Sequence, residues 1–457
     1  MHQADTIAAI ATSMNSSGIG IIRISGSDSI SIVDSIYKGK KSLLEYESHT
    51  INYGHIIDDN GDIVDEVMVV IMKAPRSFTT EDTVEIDCHG GLLVMKKILS
   101  LVIKHGARCA DPGEFSKRAF LNGRIDLSQA ESIMDLISSN SEIAMKNSLK
   151  QLSGALQDKI NNIRDGILYE TAYIESALDD PEHYDLTGYG DLLLEKLNIW
   201  ILEIEKLISS FSSGQVMKEG INTLILGKPN AGKSSLLNAL ARRDRAIVTD
   251  IAGTTRDTLE EQIIIKGVSL NIIDTAGIRN TDDVVEKIGV DKALNKIEEA
   301  NLILYVVDSS IHLDENDYAI IDKIKEKKVV ILLNKSDLDN KVSETDILEH
   351  IDATIVSFSS KSLEGLDRLE DTITSMFFEG SINSNNEIYI TNQRQLECLK
   401  SAYDSFNNVI ESINNCMPED FLSIDLMDSY ISLGRITGQT IEDDLANKIF
   451  SEFCMGK

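Results

Sequence analysis

The sequence predicts a multi-domain protein of α/β and all-α parts: an α+β N-terminal domain, a helical bundle, and a P-loop domain inserted into that bundle. Three observations carry this. An apolar strand, Thr223-Leu224-Ile225-Leu226, runs into Gly227-Lys228-Pro229-Asn230-Ala231-Gly232-Lys233-Ser234, a complete G-x-x-x-x-G-K-S pattern, and then into a helix. A strand before and a helix after is the context that confirms such a loop. Ahead of it, Leu149, Leu152, Leu156, Ile160, Ile163 and Ile167 recur at helical spacing. Behind it the pattern turns helical again from Thr391 to Phe453, so the two helical stretches are expected to pair. Insertion is sterically easy because domain termini usually lie close together.

Taken in order, residues 1–120 read as a mixed unit of strands and helices. Gly18 to Gly26 is a glycine-flanked strand holding one arginine, Arg23; a lone arginine in a strand is ordinarily an edge charge facing water. Ile63–Met72 alternates, as does Thr83–Cys88, where Glu85 and Asp87 share the face opposite Val84 and Ile86. A helix is expected from Leu92 to His105, and Leu121 to Asp126, with Arg124, reads as a turn opening a helix. Residues 121–216 form the first helical part: Pro181 ends one long helix and Leu192 to Ile208 supplies another, with Trp200 on its core side. Ser212-Ser213-Gly214 reads as a flexible junction into the P-loop domain, residues 217–379. The polar stretch 379–386 reads as a linker, and residues 380–457 complete the helical part. Thr440-x-x-Asp443 resembles a helix start.

Composition bounds the rest. At 457 residues the chain has material for about three domains. No apolar run approaches the roughly 18 residues of a membrane span, and the first residues lack the basic and apolar regions of a signal peptide. The five cysteines, Cys88, Cys109, Cys398, Cys416 and Cys454, are scattered and odd in number, which fits a reducing cytoplasm. Lys and Arg number 44 against 74 Asp and Glu, a net charge of −30, which disfavours strong autonomous binding of nucleic acid. A nucleic-acid role needs a local basic patch or a basic partner.

The loop's chemistry is phosphate binding. Glycine lets backbone N–H groups turn inward on phosphate oxygens, and the helix N-terminus adds its dipole. Lys233 is expected to reach the β- and γ-phosphates and Ser234 to ligate Mg²⁺, with Asn230, Ala231, Gly232 and Ser235 completing the loop. Three later segments point to guanine. Asp274-Thr275-Ala276-Gly277 is a D-x-x-G at a strand end; Asn334-Lys335-Ser336-Asp337 follows an apolar strand; and Ser359-Ser360-Lys361 closes a further strand. The Asp337 carboxylate accepts from guanine N1 and N2, donors that adenine does not offer there. Glutamine follows D-x-x-G in Ras-like proteins and orients the attacking water, but here Ile278 stands in that place. Arg279 and the acidic Asp282, Asp283 and Glu286 are the nearby polar candidates. Thr249-Asp250-Ile251-Ala252-Gly253-Thr254-Thr255, with Asn230, offers hard oxygen donors suited to an alkali ion beside Mg²⁺, whose charge could do the work of an arginine finger.

With these residues in view, the sequence resembles the MnmE (TrmE) family of tRNA-modification GTPases over essentially its whole length. The most specific elements are Gly227–Ser235 with Asn230, Thr249–Asp257, Asp274–Arg279, and the ending Phe453-Cys454-Met455-Gly456-Lys457; Gly20–Gly26 and Pro112–Asn122 agree too. The resemblance implies a folate-binding, dimerising N-terminal domain, a helical bundle domain and an inserted Ras-like P-loop GTPase domain. It implies K⁺-activated hydrolysis of GTP to GDP, with K⁺ at Asn230, Thr249, Ile251 and Thr254, and Mg²⁺ at Ser234 and Thr255. It gives Glu286 the water-orienting role, through a bridging water, and Arg279 the support of the switch. It places a tetrahydrofolate derivative at Arg23, Glu85, Arg124 and Lys457; Arg124 stands where the family pattern has lysine, keeping the charge but on a planar fork. The implied reaction is carboxymethylaminomethyl modification at C5 of a tRNA wobble uridine. The one-carbon unit would come from methylene-tetrahydrofolate. An FAD-dependent MnmG (GidA) family protein would join a homodimer of this chain in a heterotetramer. Two other readings are a ribosome-assembly GTPase of the Era/EngA type and a septin-like scaffold. An acid-rich stretch, Glu419, Asp420, Asp425, Glu442, Asp443 and Asp444, stands where the Era type would place a basic module, and no filament interface is evident.

Overall fold

A computed structural model describes residues 5–184, 186–243, 261–273, 296–378, 387–439, 449–450, 453 and 456. In chain order the first elements are β1 (Ile7–Ile10), β2 (Gly20–Ser25), α1 (Ser29–Ile36), β3 (Tyr37–Gly39), β4 (Thr50–Ile57), β5 (Ile63–Met72), β6 (Thr83–Cys88), α2 (Leu92–Lys104) and β7 (Arg108–Cys109). The helices α3 (Glu114–Leu121), α4 (Leu127–Ile137), α5 (Glu142–Leu152), α6 (Ala155–Asp179) and α7 (Tyr189–Glu219) follow. Then come β8 (Ile221–Leu226), α8 (Lys233–Arg243), β9 (Glu261–Ile265), β10 (Val268–Ile273), β11 (Leu302–Asp308), α9 (Glu315–Ile324), β12 (Val329–Asn334), α10 (Glu344–Leu348), β13 (Thr354–Ser357), α11 (Leu366–Phe377), α12 (Gln393–Asn414) and α13 (Glu419–Thr437). Two compact units result: residues 1–134, 151–193 and 404–457 form one, and residues 135–150 and 194–403 the other. Among the described residues, no helix is long and apolar enough to cross a membrane.

The first unit holds a seven-stranded sheet in the order β3-β4-β5-β6-β2-β1-β7, antiparallel except where β7 joins β1. Alternation puts Ile22, Ile24, Val67, Val69, Ile71, Val84 and Ile86 on one face, where α1 and α2 cover them with Val33, Ile36, Met95, Ile98 and Val102. The other face carries Arg23, Glu85 and Asp87 on β2 and β6, and Ile51, Tyr53 and Met68 on β4 and β5. Since β2 lies between β1 and β6, Arg23 sits on an interior strand, and the edge-charge reading of it does not hold. Helices α6 and α13, which flank the P-loop domain in sequence, pack on one another. Ile160, Ile163, Ile167 and Ile174 of α6, and Leu422, Leu426, Leu433 and Ile436 of α13, are buried. The apolar stripe begins at Leu156: Gly154, with φ +93°, separates α5 from α6, so Leu149 belongs to another helix and is exposed.

In the second unit the sheet order is β13-β12-β11-β8-β10-β9, parallel apart from the antiparallel β9 edge. Parallel strands covered on both faces read as unbroken apolar runs, and β11 and β12 are buried at every residue. Helices α8 and α11 pack on one face through Leu236, Leu240, Leu366, Leu369 and Ile373. On the other, α9 and α10 pack through Ile321, Ile324 and Ile347. From β8 the chain goes to β10 on one side and later to β11 on the other. The carboxyl end of β8 is therefore the switch point, where open α/β sheets bind ligands.

The expected junction at Ser212-Ser213-Gly214 is instead continuous helix within α7, and the strand of the P-loop domain starts only at Ile221. The glycine answers a packing need: a Cβ at Gly214 would lie 2.0 Å from the Ile390 carbonyl oxygen. That returning chain is held by Asn147, which exchanges two 3.1 Å hydrogen bonds with the Tyr389 backbone, and by Ser210, whose hydroxyl accepts from the Ile390 N–H at 3.1 Å. The 379–386 linker and the Thr440 helix start lie outside the described residues. Trp200 is half-buried on α7.

Candidate functional site

The phosphate loop forms at the carboxyl end of β8. Lys233, the first residue of α8, folds its side chain over the loop, and Nζ donates to the carbonyls of Gly227 at 2.6 Å and Lys228 at 2.9 Å. Burial draws its pKa below the ordinary lysine value. Ser234 and Ser235 follow in the first turn of α8, and Asn230 stands exposed on the loop with φ +61°. Gly232 has φ +107°, and a Cβ there would lie 2.0 Å from Asn334 Nδ2. Only glycine suits that backbone and that approach.

Asn334, at the end of β12, is fully buried and bridges two loops. Its amide donates to the Ala231 carbonyl at 2.7 Å and accepts from the Ser360 N–H at 3.1 Å. The guanine-specificity candidates are thereby drawn to the phosphate loop. Asp337 accepts from the Ser359 hydroxyl at 2.8 Å, which fixes one carboxylate oxygen. Lys335 pairs with Asp308 at the end of β11. Burial alone would raise the Asp308 pKa, but Lys335 and two hydrogen bonds from Ser310 outweigh it and hold the carboxyl below its usual range. Lys361 is exposed beside Ser360. Asp308 was not evident in the sequence, because it only ends an apolar strand like many aspartates.

A second cluster lies in the other unit. Arg23 and Glu85 face one another across β2 and β6, with Nε 2.7 Å from the carboxylate. Arg23 Nη1 also donates to the Gly456 carbonyl at 3.2 Å. Its guanidinium carbon is 5.9 Å from the centre of the Phe78 ring and 5.7 Å from that of Phe115. Arg124 lies 5.1 Å from the same Phe78 ring and donates to the Phe78 carbonyl at 2.8 Å. Two of the four expected folate contacts, Arg23 and Arg124, thus meet on one aromatic ring, and a third, Glu85, joins them through Arg23. Phe78 itself had no distinguishing sequence signal; it is one aromatic in a short polar loop. Arg118 bonds to Asp5, Glu81 and Glu114, which gives the Pro112–Asn122 segment a structural role.

The other sequence-predicted residues lie outside the described residues: Thr249, Asp250, Ile251, Ala252, Gly253, Thr254, Thr255, Asp274, Thr275, Ala276, Gly277, Ile278, Arg279, Asp282, Asp283, Glu286, Cys454 and Lys457.

Comparison with known proteins completes the picture. The family model described as the MnmE helical domain matches residues 127–454, and that of the GTP-binding protein TrmE N-terminus matches residues 6–124. A tRNA modification GTPase MnmE of Lachnoclostridium phytofermentans is 54% identical over 458 residues, covering 100% of this chain and 100% of the relative. That of Staphylococcus epidermidis is 44% identical over 456 residues, covering 99% of each. Among solved structures, the G domain of the T. maritima FeoB iron transporter is 28% identical, covers 34% of this chain and 97% of its own, and has a TM-score of 0.26. Two matched models that together span the chain, and relatives this similar from end to end, establish that the chain belongs to the MnmE family of tRNA modification GTPases.

Proposed function

We propose that this chain hydrolyses GTP in a K⁺-activated manner and acts with an FAD-dependent MnmG family partner. Together they install the carboxymethylaminomethyl group at C5 of the tRNA wobble uridine, with a one-carbon unit from a tetrahydrofolate derivative. The observation that supports it is the pair of clusters in one polypeptide: a phosphate loop tied to a guanine-reading loop through Asn334, and Arg23 and Arg124 at the Phe78 ring with Glu85 paired to Arg23. In this reading residues 1–120 bind folate and dimerise, 121–216 and 380–457 form the helical domain, and 217–379 form the GTPase domain. The protein works in the cytoplasm as a homodimer that joins its partner in a heterotetramer.

The residues suit the groups they would hold. Ser234, one residue into α8, supplies a hydroxyl for Mg²⁺ together with Thr255. Asn230 is exposed on the loop and supplies a hard oxygen for K⁺, beside Thr249, Ile251 and Thr254. Bound K⁺ adds positive charge next to the phosphates, the service an arginine finger gives elsewhere. Lys233 exchanges its loop carbonyls for phosphate oxygens, and Asp337 reads guanine. Glu286 orients the attacking water in place of the missing glutamine, and Arg279 supports the switch. In the other unit, two guanidinium groups flank the Phe78 ring, a setting that suits a ligand with an aromatic heterocycle and carboxylates. Arg23, Glu85, Arg124 and Lys457 would contact it.

Two measurements test this. GTP turnover is expected to rise severalfold when K⁺ replaces Na⁺ at constant ionic strength; equal rates would remove the cation assignment. Arg23→Ala is expected to abolish binding of 5-formyltetrahydrofolate in calorimetry while leaving GDP binding intact. Unchanged folate binding would move that site elsewhere.

A further inference from the structure

The second residue of the phosphate loop is tied to a helix on the far side of the sheet's carboxyl edge. Lys228 Nζ lies 2.6 Å from Asp317 Oδ2 and 3.0 Å from Asp314 Oδ2, at the start of α9. Asp317 is 2% exposed. It is held by the Tyr305 hydroxyl at 2.8 Å and by the Asp314 N–H at 3.0 Å. Tyr305 itself comes from the fully buried strand β11, so the anchor is part of the core. The main chain of Lys228 meanwhile faces the loop: its carbonyl accepts from Lys233 Nζ at 2.9 Å and from the Ala231 N–H at 3.3 Å. One residue therefore has its side chain fixed to the core and its peptide built into the phosphate cradle. Charge-assisted pairs of this kind are about twice as strong as neutral hydrogen bonds and hold geometry accordingly.

We propose that Lys228 is a positioning residue for nucleotide phosphates: its pairing with Asp317 and Asp314 pins the phosphate loop in its binding shape before nucleotide arrives. The inference rests on the loop being the guanine-nucleotide site. A pinned loop loses less freedom on binding. The loop cradles phosphates in GDP and GTP alike, so releasing it weakens binding of both. Interactions made equally in ground and transition states appear in KM and leave kcat nearly unchanged.

The test uses the full-length chain, mant-GDP fluorescence and steady-state GTP hydrolysis. Lys228→Met is expected to raise the mant-GDP Kd and the KM for GTP about tenfold with kcat within about twofold. Lys228→Arg, whose guanidinium can reach both carboxylates, is expected to stay near wild type. Because Lys228→Met leaves the Asp317 carboxylate buried without its cation, it also costs stability. The double variant Lys228→Met with Asp317→Asn removes both charges; it is expected to recover the melting temperature while keeping the raised Kd. A purely structural pair gives the opposite: the double variant recovers tight mant-GDP binding along with its stability, and the proposal falls. It falls too if Lys228→Arg binds as poorly as Lys228→Met. If wild-type protein binds no mant-GDP, the nucleotide reading itself fails, and the wild-type titration shows that before any variant is compared.

Discussion

At Gly232 two demands meet in one residue: a left-handed backbone and contact with Asn334. Gly232→Ala would hold a Cβ in the left-handed region and push the Asn334 amide off the Ala231 carbonyl. Together these cost about 2 kcal/mol, or roughly thirtyfold in nucleotide affinity. The expected result is a folded variant whose mant-GDP Kd rises by that factor. Wild-type affinity in Gly232→Ala would show that Asn334 does not set the loop. Much of this was legible in the sequence, because a glycine at a fixed place in a phosphate loop declares its reason. The partner was not: that Asn334 rather than backbone would crowd the missing Cβ depends on how β12 lies beside β8's loop, and no spacing encodes it. Lys228 escaped for the same reason, since a lysine between Gly227 and Pro229 looks like any solvated charge until α9 comes alongside.

Among the elements, β6 offers a test at its Asp87. The strand alternates as read, with Val84 and Ile86 inward and Glu85 and Asp87 outward, but the two acids differ. Glu85 meets Arg23, while Asp87 lies across from Met68 and Ile21, and its Oδ1 is buried without a hydrogen-bond partner. Burial first, and the Glu85 charge second, push the Asp87 pKa above the ordinary carboxylate value. The folded state then holds a proton that the unfolded state releases. Its penalty is absent below the ordinary value of about 4, grows as pH rises toward the folded pKa, and is constant beyond. Asp87→Asn is therefore expected to raise the melting temperature by about 2 °C at pH 7.5 and to make no difference in acid below the ordinary value. An equal shift at both pH values would assign the effect to packing instead of charge. Alternation made this face readable from sequence, as unbroken apolar runs made β11 and β12 readable. What failed was punctuation. Ser212-Ser213-Gly214 carries every local mark of a loop, yet α7 runs through it because the chain at Ile390 needs a surface without a side chain. A residue distant in sequence decided that helix.

For the whole molecule, net charge and one exposed strip constrain how copies and partners meet. The net charge of −30 opposes close approach of tRNA phosphates, so a role on tRNA needs a local basic patch or a basic partner. The same charge opposes self-association, so a homodimer needs a local apolar patch strong enough to overcome it. The outward face of β4 and β5 offers one: Ile51 is 66% exposed, Tyr53 62% and Met68 45%. Tyr53 and Met68 are directly opposed in the ladder, so the side chains form one continuous strip. Contiguous exposed apolar surface of this kind marks an association site. A two-fold interface uses the same strip on both copies, so each substitution counts twice. Changing Tyr53 and Met68 together to lysine would set like charges against each other across that axis while leaving the inward core of Val67, Val69 and Ile71 untouched. The expected outcome in sedimentation velocity at micromolar concentration is a dimer for the wild type and a monomer for the variant, with mant-GDP affinity unaltered because the phosphate loop belongs to the other unit. A variant that sediments as the same dimer would exclude this strip, and a wild type that sediments as a monomer would remove the proposed homodimer.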